Sequence, residues 1–393
     1  MHTLPDAYRQ RAPLPPRRRY RLRRLIAVVL AIGVVLVALV TISLVGALRT
    51  PGNQSFQAKW ADWLRSHHAA LIANQIEQYY YNHHIPPKGG RPAALNSVPA
   101  PSGRPSTAVS SGLPRPAPVA LVVTPGLPGE GQWTPAGAVV QGGPAMYVAQ
   151  FRADDVYTGQ ITSAVWIDPT RLHVALVPGA QEPGGSWPQP PDVSGAALST
   201  IVAAFNGGFR MQDAHGGFYL DGRQAVPLQP GAASMVIYAD GHINIGIWGS
   251  EVSMAPNVTA VLQNLVPIVD NGQTAPDATY NDTRLWGATL GANTVVARSG
   301  IGVTATGALI YVAGPALTAR SLAESLQRAG AVRAMTLDIN PEWVTFNIYG
   351  HPNSADPTFI NATKLYPQMQ RPADRYLGPT QESRDFFTVS LPH

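Results

Sequence analysis

Two hydrophobic textures divide this chain. Leu25–Leu48 is one unbroken apolar run without a charge, whereas from Gln132 onward short apolar runs are cut by Gly, Pro and Asp-Gly. The long run predicts a membrane-spanning helix of about 36 Å, enough to cross a bilayer with some tilt. The short runs read as strands: SAVWIDP, RLHVALVPG, TIVAAFNGGF, GGFYLDGRQAV, SMVIYADGHINIGIWG, VTAVLQNLVPIVDNG, ANTVVARSGIGVTATGALIYVAG and VRAMTLDI. Asp221-Gly222, Asp240-Gly241 and Thr306-Gly307 supply hairpin turns between them. One helix interrupts the series, with Thr318 as N-cap, Leu322, Leu326 and Ala329 on one face and Gly330 as its stop. A second helix is predicted over Val193–Ala203. The class is therefore α+β: a mixed, largely antiparallel, sheet-rich domain with a few helices, preceded by a single N-terminal transmembrane helix.

Between the two textures lie two further segments. Residues 49–85 lack helix breakers over SFQAKWADWLRSHHAALIANQIEQYYYNHH, and Phe56, Trp60, Trp63, Leu64, Leu71, Ile72, Ile76 and Tyr79 recur at helical spacing. His67/His68 and His83/His84 are adjacent pairs, which point apart on a helix and so lack ligand spacing. Residues 86–131 are rich in Pro, Gly, Ser and Ala and read as an extended spacer, in which VALVVTP is a first strand or a covering segment. The predicted organisation is a 1–24 tail, a 25–48 anchor, a 49–85 juxtamembrane helix, an 86–131 linker and a 132–393 domain.

Charge then orients the anchor. Residues 1–24 hold eight arginines against Asp6, a charge of +7, so the remaining residues carry −2 of the total +5. The basic flank stays cytoplasmic and places the domain outside, in the cell envelope, with the bilayer as partner through residues 25–48. The run is longer than a cleavable signal core, which favours a retained anchor. The basicity sits in the tail, so no nucleic-acid partner is expected. There is no cysteine, which removes thiolate chemistry and cysteine-bound metals.

Several residues have chemistry to offer. Asn206 ends an apolar strand and is followed by Gly207-Gly208, where a backbone approaches a ligand closely, or where a plain turn is made. Asp270 and Asn271 fit a turn or the edge of a cleft. Arg298 interrupts an apolar strand and needs a carboxylate or a bound anion; its planar fork suits phosphate. In MTLDINPEWVTFN, Asp338 ends a strand and Glu342 follows across a turn, within reach of the carboxylate separations that glycosidases use.

The order of these pieces, AAFNGGF, VPIVDNG, ARSGIGVT and GAVRAMTLD, resembles the phosphodiester glycosidase family over residues 135–350. The resemblance implies hydrolysis of a glycosyl phosphodiester, with Asn206, Arg298 and Asp338 on motif positions and Asp270 and Asn271 on a looser match. Family members continue the last motif as Leu-Asp-Gly-Gly-Gly-Ser, whereas here Leu337-Asp338 is followed by Ile339, Asn340, Pro341, Glu342 and Trp343. Asn340, Glu342 and Trp343 then stand as a new substrate wall, with Asp338 as acid or base and Glu342 as its partner. The alternative is an inactive glycan-binding protein on the same fold, with Trp343 as a stacking platform. The motifs call for no cofactor and leave a divalent cation open.

Overall fold

The computed structural model describes residues 16–52, 54–82, 85–103, 112–279, 282–287, 294–351, 356, 358 and 360–392. Its helices are α1 (Pro16–Arg49), α2 (Phe56–Ser66), α3 (Ala70–Asn82), α4 (Met211–Ala214), α5 (Thr283–Trp286) and α6 (Ala319–Arg328). The first strands are β1 (Trp133–Val140), β2 (Gly143–Phe151), β3 (Thr162–Ile167), β4 (His173–Val177), β5 (Ile201–Asn206) and β6 (Phe218–Leu220). Then come β7 (Arg223–Val226), β8 (Ala233–Tyr238), β9 (Ile243–Ile247), β10 (Val258–Gln263), β11 (Pro267–Asp270) and β12 (Gln273–Thr274). The last are β13 (Val296–Thr304), β14 (Leu309–Leu317), β15 (Ala331–Thr336), β16 (Phe346–Gly350), β17 (Asn361–Lys364) and β18 (Phe386–Ser390).

These strands form three sheets: β1-β2-β3-β14-β13-β15-β11-β12, β7-β6-β10-β8-β9 and β17-β16-β5-β18-β4. Their ladders are antiparallel, so the predicted α+β class holds. All three share one apolar core, where Ile301, Tyr311 and Leu337 meet Phe205, Phe346 and Phe387 on one side and Met235 and Leu262 on the other. The outer face of the large sheet is covered by α6, whose Leu322 and Leu326 pack with Ile310 and Val312.

The SGIG spacing within β13 has a packing cause. A Cβ on Gly300 would come 2.9 Å from Leu326 Cδ1, so the glycine lets α6 lie close against the strand. Thr318 caps α6 through a capping box with Ser321, and Gly330, at φ 103°, ends it.

The helix predicted over Val193–Ala203 is not formed. Gly195–Ser199 makes a single 3-10 turn, and Ile201–Asn206 is β5, fully buried between β16 and β18. A β-branched start to an apolar run buried on both faces suits a central strand better than a helix. The single juxtamembrane helix divides into α2 and α3 at His68, which takes a positive φ of 61°. His83 and His84 lie outside the described residues.

Residues 86–131, read as a spacer, lie along the domain where they are described. Val119 joins the core beneath the large sheet, so VALVVTP covers it and makes no strand. Glu130 pairs with Arg152 at 2.8 Å, both buried. At the other end, the α1 stretch Tyr20–Arg49 is long and apolar enough to cross a membrane.

Candidate active site

Three chain segments are brought together by sheet register. Phe346 pairs with Phe205 and Phe386 with Asn206, which sets the residues before β16 and before β18 on either side of the end of β5. The loop after β15 joins them because Ser299 of β13 binds the backbone of Asp338 on both sides: Ser299 N donates to Asp338 O at 2.8 Å, and Asp338 N donates to Ser299 Oγ at 3.1 Å.

Asp338 is the focus of this junction and is only 3% exposed. Its Oδ2 accepts from Arg384 Nη1 at 3.0 Å, and its Oδ1 accepts from Asn340 N at 2.8 Å. Burial pushes its carboxyl up to about 6, and the guanidinium groups of Arg384 and Arg210 hold it from rising further. Arg384 also lies over the Trp343 ring, 3.8 Å from its centroid.

Around this pair stand Arg210, Glu182 and Asp385. Burial first, and repulsion from Arg384 second, lower Arg210 to about 10, and Asp62 is the negative partner it has. Glu182 Oε2 accepts from Met211 N at 3.1 Å, and burial raises its carboxyl. Asp385 is buried with neither carboxylate oxygen in a hydrogen bond of ordinary geometry. Burial, with Glu182 adding to it, drives its carboxyl up to about 8, so at neutral pH it carries a proton while Asp338 is charged. Gly207 makes room for it: a Cβ there would collide with Asp385 Oδ2.

The predicted site residues are distributed unevenly around this centre. Arg298 does not face it. Side chains alternate along β13, so Ser299 turns toward Asn206 while Arg298 turns beneath α6. There Arg298, 1% exposed, donates to Leu317 O at 2.9 Å and Thr294 O at 3.3 Å. Asp270 and Asn271 sit at the opposite end of β15, where Asp270 lies 3.8 Å from Arg333 and accepts from Asn271 Nδ2 at 3.0 Å. Arg333 and Asp338 are five positions apart, about 16 Å along a strand.

Asn206 is in the right place but has no free valence for a ligand. Its Nδ2 donates to Gly207 O at 2.8 Å and Ser299 Oγ at 3.1 Å. Its Oδ1 accepts from Tyr311 Oη at 2.9 Å and Thr345 N at 3.1 Å. It ties two sheets together and so positions the site instead of binding substrate.

Trp343 is 3% exposed and is overlaid by Arg371 and Arg375 as well as Arg384, so no sugar face reaches its ring. Glu342 pairs with Arg371 at 3.0 Å and accepts from Ser55 N at 3.0 Å, and is thereby committed away from Asp338. Asn340 closes the turn, its Oδ1 accepting from Glu342 N at 2.9 Å. Gly208 lies against Asn264, near the centre.

Arg384, Asp385, Glu182 and Arg210 are therefore the residues that motif reading missed. A signal existed for the first two, because QESRDFF sets charges directly before an apolar strand, the mirror of TLD, where Asp338 follows one. Arg210 directly follows the Asn-Gly-Gly-Phe strand end. Among the described residues no group of His, Asp or Glu is arranged to hold a metal ion.

The segment after α1 closes one side. Asp62 of α2 forms an ion pair with Arg210, Ser55 meets Glu342, and Gln181 Nε2 donates to Pro51 O at 3.3 Å.

Residues 199–338 match the phosphodiester glycosidase family, which bears out the resemblance over that span and ends on Asp338 itself. No curated protein matches the chain. Among solved structures, the chain is similar to the catalytic domain of zebrafish N-acetylglucosamine-1-phosphodiester α-N-acetylglucosaminidase, a form auto-inhibited by its pro-peptide. The two are 15% identical over 67% of this chain and 87% of that one, with a TM-score of 0.41. A hypothetical protein from Synechocystis is 13% identical over 66% of this chain and 64% of that one, at a TM-score of 0.34. A putative exported protein from Burkholderia pseudomallei is 12% identical over 59% and 74%, at 0.28.

Proposed function

We propose that the chain is a membrane-anchored, extracytoplasmic hydrolase that cleaves a glycosyl phosphodiester of the cell envelope, releasing the sugar and leaving a phosphomonoester. One observation carries this reading: a buried carboxylate, Asp338, shares a closed site with two guanidinium groups, Arg384 and Arg210. Two guanidinium groups in a desolvated place, Arg384 held by Asp338 and Arg210 by Asp62, suit a phosphate that shares or displaces those partners, and a charged carboxylate suits a sugar centre that becomes positive as its bond breaks. The family match and the long apolar helix with its arginine-rich flank support the same reading.

The chemistry follows from the charges. Water adds its oxygen to the anomeric carbon, the bond from that carbon to the phosphate oxygen breaks, and the bonding pair leaves with the phosphate. The proton lost by water passes to Asp338. A phosphomonoester has a second pKa of about 6, so it departs without an obligatory proton, and Arg384 and Arg210 neutralise its gathering charge. Asp385 supplies a proton where the leaving oxygen requires one.

The test is sugar release from a panel of glycosyl-1-phosphodiesters by the full chain in detergent, against its Asp338→Asn variant. Release that falls at least about a hundredfold in the variant is the result expected of a lost general base. A chain inert across the panel, or one that binds the esters unaltered, rejects hydrolysis.

A further inference from the structure

We propose that the substrate is lipid-borne, a glycosyl phosphodiester whose phosphate carries a membrane lipid and which enters the site from the headgroup layer. The proposal rests on the hydrolase reading above and adds where the substrate comes from. Its ground is the short, packed connection between the apolar helix and the site.

Counted from Leu25, about twenty helical residues fill a hydrocarbon core of about 30 Å, so the core ends near Ser43. At that level Trp60 Nε1 of α2 donates to Ser43 Oγ at 3.1 Å, and the Trp63 indole lies against Gly46. Tryptophan is enriched at the membrane–water interface, and these two tryptophans of α2 lie against the end of α1, which sets α2 among the headgroups. Asp62, adjacent to Trp63, holds Arg210 of the site. Ser55, which meets Glu342, is six residues beyond the end of α1 at Arg49, and six residues span at most about 20 Å.

A second surface agrees. Ile72, Ile76 and Tyr79 recur along α3 and are exposed, as is the neighbouring Leu71. That apolar band follows directly on α2 and matches a helix lying in the interface. The wall of the site is thus built from the first residues to leave the bilayer, and those residues carry the contact to its phosphate-binding cation. A lipid phosphate, fixed at headgroup depth, has its charge at the level of Arg210 before any diffusion out of the membrane.

The experiment uses the full chain reconstituted in phosphatidylcholine vesicles. Two esters of one sugar 1-phosphate are compared, a methyl ester in solution and a long-chain alkyl ester in the bilayer, the latter placed either with the enzyme or in separate vesicles. The proposal expects the lipid ester to be hydrolysed at least about tenfold faster than the methyl ester at equal bulk concentration. It also expects this only when enzyme and ester share a vesicle. Hydrolysis of the methyl ester at an equal rate, or of the lipid ester in separate vesicles, overturns the proposal and leaves the hydrolase reading standing. If neither ester releases sugar across the panel that tests the hydrolase reading, both fall.

Discussion

Arg384 Nη1 lies 3.0 Å from Asp338 Oδ2, joining residues 46 positions apart in the chain, at a place nearly closed to solvent. Removing one partner of such a pair leaves the other charge buried and alone, at a cost of about 3 kcal/mol or more. Arg384→Ala is therefore expected to lower the midpoint of urea unfolding. It should also move the acid limb of the rate profile above pH 6, because the cation that restrains Asp338 is gone. An unchanged limb would mean that Arg384 does not govern Asp338.

The pH dependence of activity follows from two carboxyls with separated values. Asp338 must be charged, so the rate rises with pH through about 6. Asp385 keeps its proton up to about 8, so for esters whose leaving oxygen needs a proton the rate declines through about 8. A bell with its top between these values is the expected result of a kcat/KM profile, and Asp385→Asn should flatten its alkaline side.

The same burial makes Asp385 a stability element with a definite sign. Its folded value is raised, so its contribution is present at low pH and is lost as pH rises through about 8. Asp385→Asn should be more stable than the parent at pH 9 and closer to it at pH 5. Thermal unfolding at the two pH values measures this, and an equal difference at both would refute it.

Arg298 serves the fold, and on the proposed reading Arg210 serves the substrate. Arg298→Met is expected to cost stability, because Leu317 O and Thr294 O lose their donor, while KM for an anionic ester stays unchanged. Arg210→Gln should raise KM about tenfold, the loss of one charge-assisted contact.

Asn206→Ala should destabilise by about 2–4 kcal/mol, since Thr345 N, Tyr311 Oη and Ser299 Oγ lose a buried partner together. Denaturant titration reads it directly. A loss below about 0.5 kcal/mol would mean that water replaces the amide.

Much of the fold was legible in the sequence. The Asp-Gly turns at 221–222 and 240–241 join β6 to β7 and β8 to β9, and the capped helix after Thr318 is α6, because turn chemistry and helix caps are local. The run IVAAF was legible only as buried. Whether it was helix or strand depended on β16 and β18, which pair with it from 140 and more residues away.

The site divides along the same line. Sequence alone marked Asp338 and the Asn-Gly-Gly turn, because a carboxylate and paired glycines at strand ends are local signals. It determined the apolar helix, the basic flank and the absence of thiol chemistry in the same way. Only the tertiary structure decided that Arg298 turns under α6 while Arg384 reaches Asp338, since a residue's face follows from the alternation of its strand within the assembled sheets. The cation came from a segment whose place beside Asn206 was fixed by pairing between β5 and β18, and such pairing is a property of the closed core.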